Sequence, residues 1–156
     1  MRLLLLLLLC PLLMSYASSR EESTTSDQYI KDYNMGVTAQ DRNDYAKAIE
    51  FYQKALSQKS DFADAWNNLG YCYRMTAKSY IAKAGDAYAK AIKYAPDNED
   101  ALEYQGEYFL MASQLVNAYK NYQKLQDLNS DEAKVLKEKI DAILKQAKEI
   151  LKNYSP

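Results

Sequence analysis

The sequence predicts an all-α protein built as a stack of antiparallel helix pairs closed by one further helix, and three observations predict it. Only four glycines and three prolines stand in 156 residues that are 48% hydrophobic, too few turn-formers for a sheet of short strands. Apolar residues recur at three- and four-residue steps from Asp27 to Asn153. The only breaks are short polar stretches at Asp41 to Asp44, Lys59 to Asp61, Thr76 to Ser79, Pro96 to Asn98, Ser113, and Asn129 to Asp131. Small and aromatic residues also return at 34- and 36-residue intervals, the mark of stacked units. The breaks give seven helices, and no window alternates with the period of a strand.

The chain opens with Met1 and Arg2, an apolar run from Leu3 to Met14, and Ser15-Tyr16-Ala17. Small residues at both recognition positions make 1–17 read as a secretory signal peptide cleaved after Ala17. A retained anchor is the alternative, but the run is shorter than the ~20 residues a membrane-spanning helix needs and contains Pro11. Lipidation at Cys10 is a third reading, and it asks for a small residue where Leu9 stands. Once the signal is removed, Cys72 is the last cysteine, so no intrachain disulfide is expected and packing alone must hold the fold. The next segment, 18–26, reads SSREESTTS. It has no apolar residue to bury, and a disordered leader is expected.

The repeat occupies 27–131. Taking Gly70 as the phase marker, Gly36 lies 34 residues before it and Gly106 lies 36 after it. Ala48, Ala84 and Ala118 follow at spacings of 36 and 34, each with a tyrosine four residues on, at Tyr52, Tyr88 and Tyr122. The two extra residues fall between Gly70 and Ala84, around Thr76 to Ile81, and lengthen that turn or the start of the next helix. Small residues let two helices approach, and the aromatics Trp66, Tyr73, Tyr52, Tyr88, Phe109 and Tyr122 are expected to fill the spaces between pairs. Pro96 ends a helix. Ser60 and Ser130 stand at its equivalents, each followed by an Asp suited to start the next helix. The first repeat carries Asp32 where Trp66 stands in the second, and Ala39 where Tyr73 stands, as suits a unit with no predecessor to pack against. In 132–153, Leu136, Ile140, Ile143, Leu144, Ala147 and Leu151 form one stripe, a lid for the last hydrophobic face. A dimerisation face and a membrane-surface helix are the other readings of that stripe, and its mixed charges disfavour the membrane.

Trp66-Asn67-Asn68-Leu69-Gly70-Tyr71-Cys72-Tyr73, followed by Ala84, Tyr88, Ala91 and Pro96, resembles the signature of the tetratricopeptide repeat. The resemblance covers three motifs, at about 29–62, 63–98 and 99–131. It implies a right-handed superhelical solenoid whose first helices line a concave groove that holds a peptide or partner helix. Gly36, Ala48, Trp66, Gly70, Ala84, Pro96, Gly106 and Ala118 are then structural markers. The groove residues are Ile30, Tyr33, Val37, Gln40 and Asp41; Asp64, Asn67, Tyr71, Arg74 and Met75; and Asp100, Glu103, Glu107, Leu110 and Met111. Five acids face one Arg, with Glu103 and Glu107 expected on one helix face away from packing positions. Family members that clamp a C-terminal carboxylate use Lys, Asn and Arg in this groove, and only Asn67 fits that scheme.

These features exclude several functions. With no histidine in the chain, Ser-His-Asp, Cys-His and histidine-zinc chemistry are absent, and no enzyme, cofactor or metal site is expected. A net charge of -1 gives no basic excess for nucleic acid. The adjacent acids Glu21-Glu22 and Glu99-Asp100 lack the ligand spacing of a calcium loop. Core packing explains most tyrosines and Cys72. The expected function is a protein–protein interaction adaptor, its partner a basic or amphipathic protein segment and not a small-molecule substrate. The signal and the short array resemble small exported tetratricopeptide proteins of the bacterial periplasm, which implies work in assembling an envelope or secretion complex. A self-assembling scaffold, a homo-oligomer formed through helix seven or the convex face, is the alternative. Once the signal is cleaved, no stable membrane insertion is expected.

Overall fold

The computed structural model describes residues 28–76 and 80–154, so the signal peptide expected over 1–17 and the leader expected over 18–26 lie outside the described residues. Among the described residues seven α-helices follow one another: α1 (28–41), α2 (Tyr45–Gln58), α3 (Ala63–Thr76), α4 (Ile81–Tyr94), α5 (Glu99–Met111), α6 (Leu115–Asp127) and α7 (Glu132–Tyr154). No strand occurs among the described residues. From α2 to α7 each helix packs on its neighbours in sequence, α3 also meets α5, and α7 meets both α5 and α6; α1 meets α2 where the Tyr52 hydroxyl donates to Gln40.

Three connections share one geometry. Asn43, Ser113 and Asn129 adopt φ of 58°, 59° and 55°, each just past a helix end. The following N–H donates back across the last turn, from Asp44 to Ala39 O (2.9 Å), Gln114 to Phe109 O (2.7 Å) and Ser130 to Leu125 O (3.0 Å). These are left-handed helix stops that use carbonyls the helix leaves unpaired. Asp44 and Asn98 cap α2 and α5, accepting from the Lys47 and Ala101 N–H groups at 3.2 and 2.9 Å. α4 ends at Tyr94, and Pro96 sits in the turn beyond it. Asp61 and Asp131 do not take the capping role expected of them. Their carboxylates pair with Lys59 and Lys134 at 2.8 and 2.7 Å, and the Ser130 hydroxyl accepts from the Glu132 N–H instead.

The core divides into two clusters. Ala39, Ala48, Tyr52, Leu56, Ala65, Leu69, Cys72, Tyr73, Ala84 and Tyr88 knit α1 through α4, while Leu102, Ala118, Leu125, Ala133, Leu136 and Ile140 knit α5 to α7. The three marker alanines are at most 1% exposed. The marker glycines do more than let alanines approach. A Cβ on Gly36 would lie 2.6 Å from the Tyr52 ring, and one on Gly70 would lie 2.7 Å from the Tyr88 ring, so each tyrosine lies against the glycine of its own pair. The expectation placed Tyr52 and Tyr88 in the spaces between pairs, and the contact with the glycine of their own pair adds to it. Across the pairs, the Tyr88 ring still meets Tyr104, with centroids 6.0 Å apart.

The third repeat breaks the rule. A Cβ on Gly106 would meet Leu136 of α7, at 2.4 Å, and Tyr122 is only half-buried. A wholly buried Leu136 occupies the place against Gly106 because α7 packs on α5 as well as on α6. In the first repeat, Asp32 is buried where an aromatic was missed, and accepts from the Gln58 amide at 2.7 Å. That hydrogen bond is how a carboxylate is tolerated there.

Candidate functional site

The first helices of the pairs lie side by side. Asn68 of α3 donates to the Tyr33 hydroxyl of α1 at 3.1 Å, and Tyr71 of α3 meets Tyr104 of α5 with ring centroids 5.8 Å apart. Equivalent positions counted from Gly36, Gly70 and Gly106 therefore form rows across α1, α3 and α5. Six residues before the glycine stand Ile30, Asp64 and Asp100, all exposed; five after it stand Asp41, Met75 and Met111, also exposed. These are two rims. Between them run Tyr33, Asn67 and Glu103, then Val37, Tyr71 and Glu107, then Gln40, Arg74 and Leu110, half-buried or buried. These rows form the floor.

The floor is built by internal pairing. Gln40 Oε1 accepts from the Tyr52 hydroxyl (3.0 Å) and the Cys72 thiol (3.3 Å). Burial pushes the Tyr33 hydroxyl above its ordinary pKa, and the Asp64 charge adds to that. The Arg74 guanidinium sits over Tyr71 and Tyr104, 5.5 and 5.0 Å from their centroids, a cation–π arrangement, and pairs with Glu107. Lys139 of α7 donates to Glu103 at 2.6 Å and also pairs with Glu107. Glu103 is 3% exposed. Burial pushes its carboxyl above the usual range, Arg74 pulls against that, and Asp100 adds to it. The Asn67 Oδ1 is buried without a hydrogen-bond partner.

The acidic groove is thus smaller than the sequence suggested. Of the five acids, Glu103 and Glu107 are joined to Arg74 and Lys139, in a cluster of two negative and two positive charges beside a cleft of about 260 Å³ lined by Arg74, Glu107, Leu110, Met111 and Lys139. They are packing residues as well as groove residues, because α7 lies on that side of α5. Asp41, Asp64 and Asp100 keep exposed carboxylates. Sequence reasoning missed Lys139 and Asn68. The signal for Lys139 was an acidic pair four residues apart on α5, with no base on its own helix to answer it. Among the described residues no group of three or more Cys, Asp and Glu side chains converges as a metal ion would require.

Residues 41–75, which span α2 and α3, match the family model of the TPR repeat, the tetratricopeptide repeat. No curated protein matches the sequence. Among solved structures, the Arabidopsis OM64 TPR domain superposes with a TM-score of 0.68 at 17% identity, covering 76% of this chain and 98% of its own. The chain folds as a tetratricopeptide-repeat solenoid, all-α and superhelical. The first TPR of Spaghetti (RPAP3), bound to the HSP90 peptide SRMEEVD, gives 0.69 at 21% identity, covering 76% of this chain and 94% of its own. The Sgt2 TPR domain from Aspergillus fumigatus gives 0.69 at 22% identity, with 78% and 82% covered.

Proposed function

We propose that this chain is an exported tetratricopeptide adaptor whose concave surface holds a basic or amphipathic segment of a partner protein during assembly of an envelope or secretion complex. The observation that carries this reading is the set of three exposed carboxylates, Asp41, Asp64 and Asp100, bordering an aromatic floor whose own cation, Arg74, is already paired. Their fields add in a concave space and attract cations. Tyr33, Val37 and Tyr71 give apolar contact.

The TPR of Spaghetti holds an acidic peptide; here the rims carry the wrong sign for one. The test begins with the partner captured from envelope extract. Asp64→Lys with Asp100→Lys should weaken its binding tenfold or more, about 1.4 kcal/mol, and added salt should weaken the wild-type complex. The peptide SRMEEVD should not bind. Unchanged affinity in the double variant, with a salt-insensitive wild type, would move the site off the groove. The export step is read by mass spectrometry: an N-terminus at Ser18 supports it, and one at Met1 or a lipid on Cys10 overturns it.

A further inference from the structure

α7 is longer than the stack it caps. Ala133, Leu136 and Ile140 are buried against α5 and α6, whereas every residue from Asp141 to Asn153 is exposed. The apolar stripe does not stop where the burial does. Ala133, Leu136, Ile140, Ile143, Ala147 and Ile150 follow steps of three, four, three, four and three, the 3.5-residue period by which one helix keeps a single seam toward another. Among the described residues half of that seam is buried and half stays exposed. Ile143 and Leu144 are each 39% exposed and Ile150 is 50% exposed. Beside them, Leu115, Val116, Tyr119, Lys120, Gln123, Ile140 and Leu144 line an open cleft of about 370 Å³ between α6 and α7, with Val116 70% exposed.

We propose that the distal half of α7 pairs with the same helix of a second copy of this chain, antiparallel about a two-fold axis near Ala147, so that each C-terminal turn meets its partner's α6–α7 cleft. Three features select a second copy. The exposed stripe continues an interface the helix already makes, at the same period. The positions flanking the seam are Leu144, Gln146, Leu151 and Asn153, all neutral, so the flanks of the seam carry no like charges against an identical helix, while Lys145, Lys148, Glu149 and Lys152 lie outside the seam. Ala147 at the centre leaves room for two helix axes to approach. An axis there sets Ile150 opposite the partner's Leu144, which itself lines the cleft. Antiparallel pairing also sends the two repeat stacks to opposite ends, where a parallel pair would crowd them. An isolated helix pair of this length is marginal, since helices below ~12–15 residues gain little alone; the Leu115, Val116 and Tyr119 walls extend the contact. This surface is separate from the concave groove, so its test stands or falls without the groove.

Sedimentation equilibrium of the full chain from micromolar to millimolar concentration should show a reversible doubling of mass. Ile143→Lys with Ile150→Lys should abolish the doubling and, at concentrations where the wild-type chain is monomeric, leave the melting curve unchanged, because both side chains are exposed there. In a Cys10→Ser chain, Ala147→Cys should cross-link under oxidation and Lys152→Cys should not. Monomer at every concentration overturns the proposal. So does a dimer that survives the double lysine variant, or cross-linking at position 152 in preference to 147. A monomer that pellets with phosphatidylglycerol-containing vesicles, and loses that in the lysine variant, would assign the stripe to a lipid surface and equally overturn it.

Discussion

Gly70 and the Tyr88 ring are in such close contact that a Cβ added to the glycine would sit 2.7 Å from the ring's Cε1. The ring is wholly buried, so it has no open space to move into. Gly70→Ala should therefore destabilise, the overpacking of about 1 to 3 kcal/mol outweighing the gain in helix propensity, and Gly70→Leu should cost more. At Gly106 the obstacle is the end of Leu136, which has other rotamers and belongs to the terminal helix. Gly106→Ala should come out near neutral. Urea melts of the two alanine variants compare them directly, and equal losses would show that the glycines are interchangeable.

Lys139 fixes α7 to α5 through Glu103 and Glu107. The Glu103 side chain is 4% exposed and the Lys139 side chain 39%, so the two ends of the pair should respond unequally. Glu103→Lys places a third cation beside Lys139 and Arg74 in a buried position, and should cost about 3 kcal/mol or more. Lys139→Ala leaves water to reach the acids and should cost about 1 kcal/mol or less. Combining Glu103→Lys with Lys139→Glu should recover part of the loss. A Glu103→Lys, Glu107→Lys variant that melts like wild type would show that the acids are free groove residues after all.

The repeat was legible because its code is local. A glycine, an alanine and a tyrosine at fixed offsets report on two helices joined by one short turn, and Ala48, Ala84 and Ala118 are all buried as that code requires. What depended on where distant helices lie was not legible. Leu136 displacing Tyr122 from Gly106, and Lys139 reaching back 36 residues to Glu103, follow from the placement of α7, which no spacing records. The same holds at the helix starts. Asp61 and Asp131 have capping chemistry, yet each stands two residues from Lys59 or three from Lys134, and pairing with the lysine prevails. In the groove, sequence position gave the rows, but burial and pairing decided which carboxylates stay open.

Ser113 holds a backbone conformation that suits glycine, with φ of 59°. Asn43 and Asn129 do the same work at the ends of α1 and α6, and asparagine tolerates the left-handed region better than serine does. Ser113→Gly should relieve a strain of about 1 kcal/mol, less what glycine loses in chain entropy, and raise the melting temperature. Asn43→Gly should gain less. The order of the two shifts is the test; a larger gain at Asn43 would place the strain elsewhere.

Alkaline pH should act on the core through Cys72. The side chain is wholly buried, and burial pushes its thiol up from 9.0 to about 12, with Tyr52 and Tyr88 shifted upward by the same cause. In each case the fold favours the protonated form. The stabilising contribution is therefore complete below the unfolded pKa, near 9.0 for the thiol, and is lost as pH rises through the folded value near 12. Stability against urea should be flat up to about pH 9 and fall steadily above it, and Cys72→Ala should reduce the slope between pH 9 and pH 10, before the tyrosines contribute. Because only the thiolate attacks disulfides and alkylating agents, iodoacetamide should leave Cys72 unmodified in the folded chain at pH 8 and modify it at the rate of unfolding once urea is added. Rapid alkylation without denaturant, or a pH profile identical in Cys72→Ala, would place the thiol in contact with water and remove it from the packing between α1 and α3.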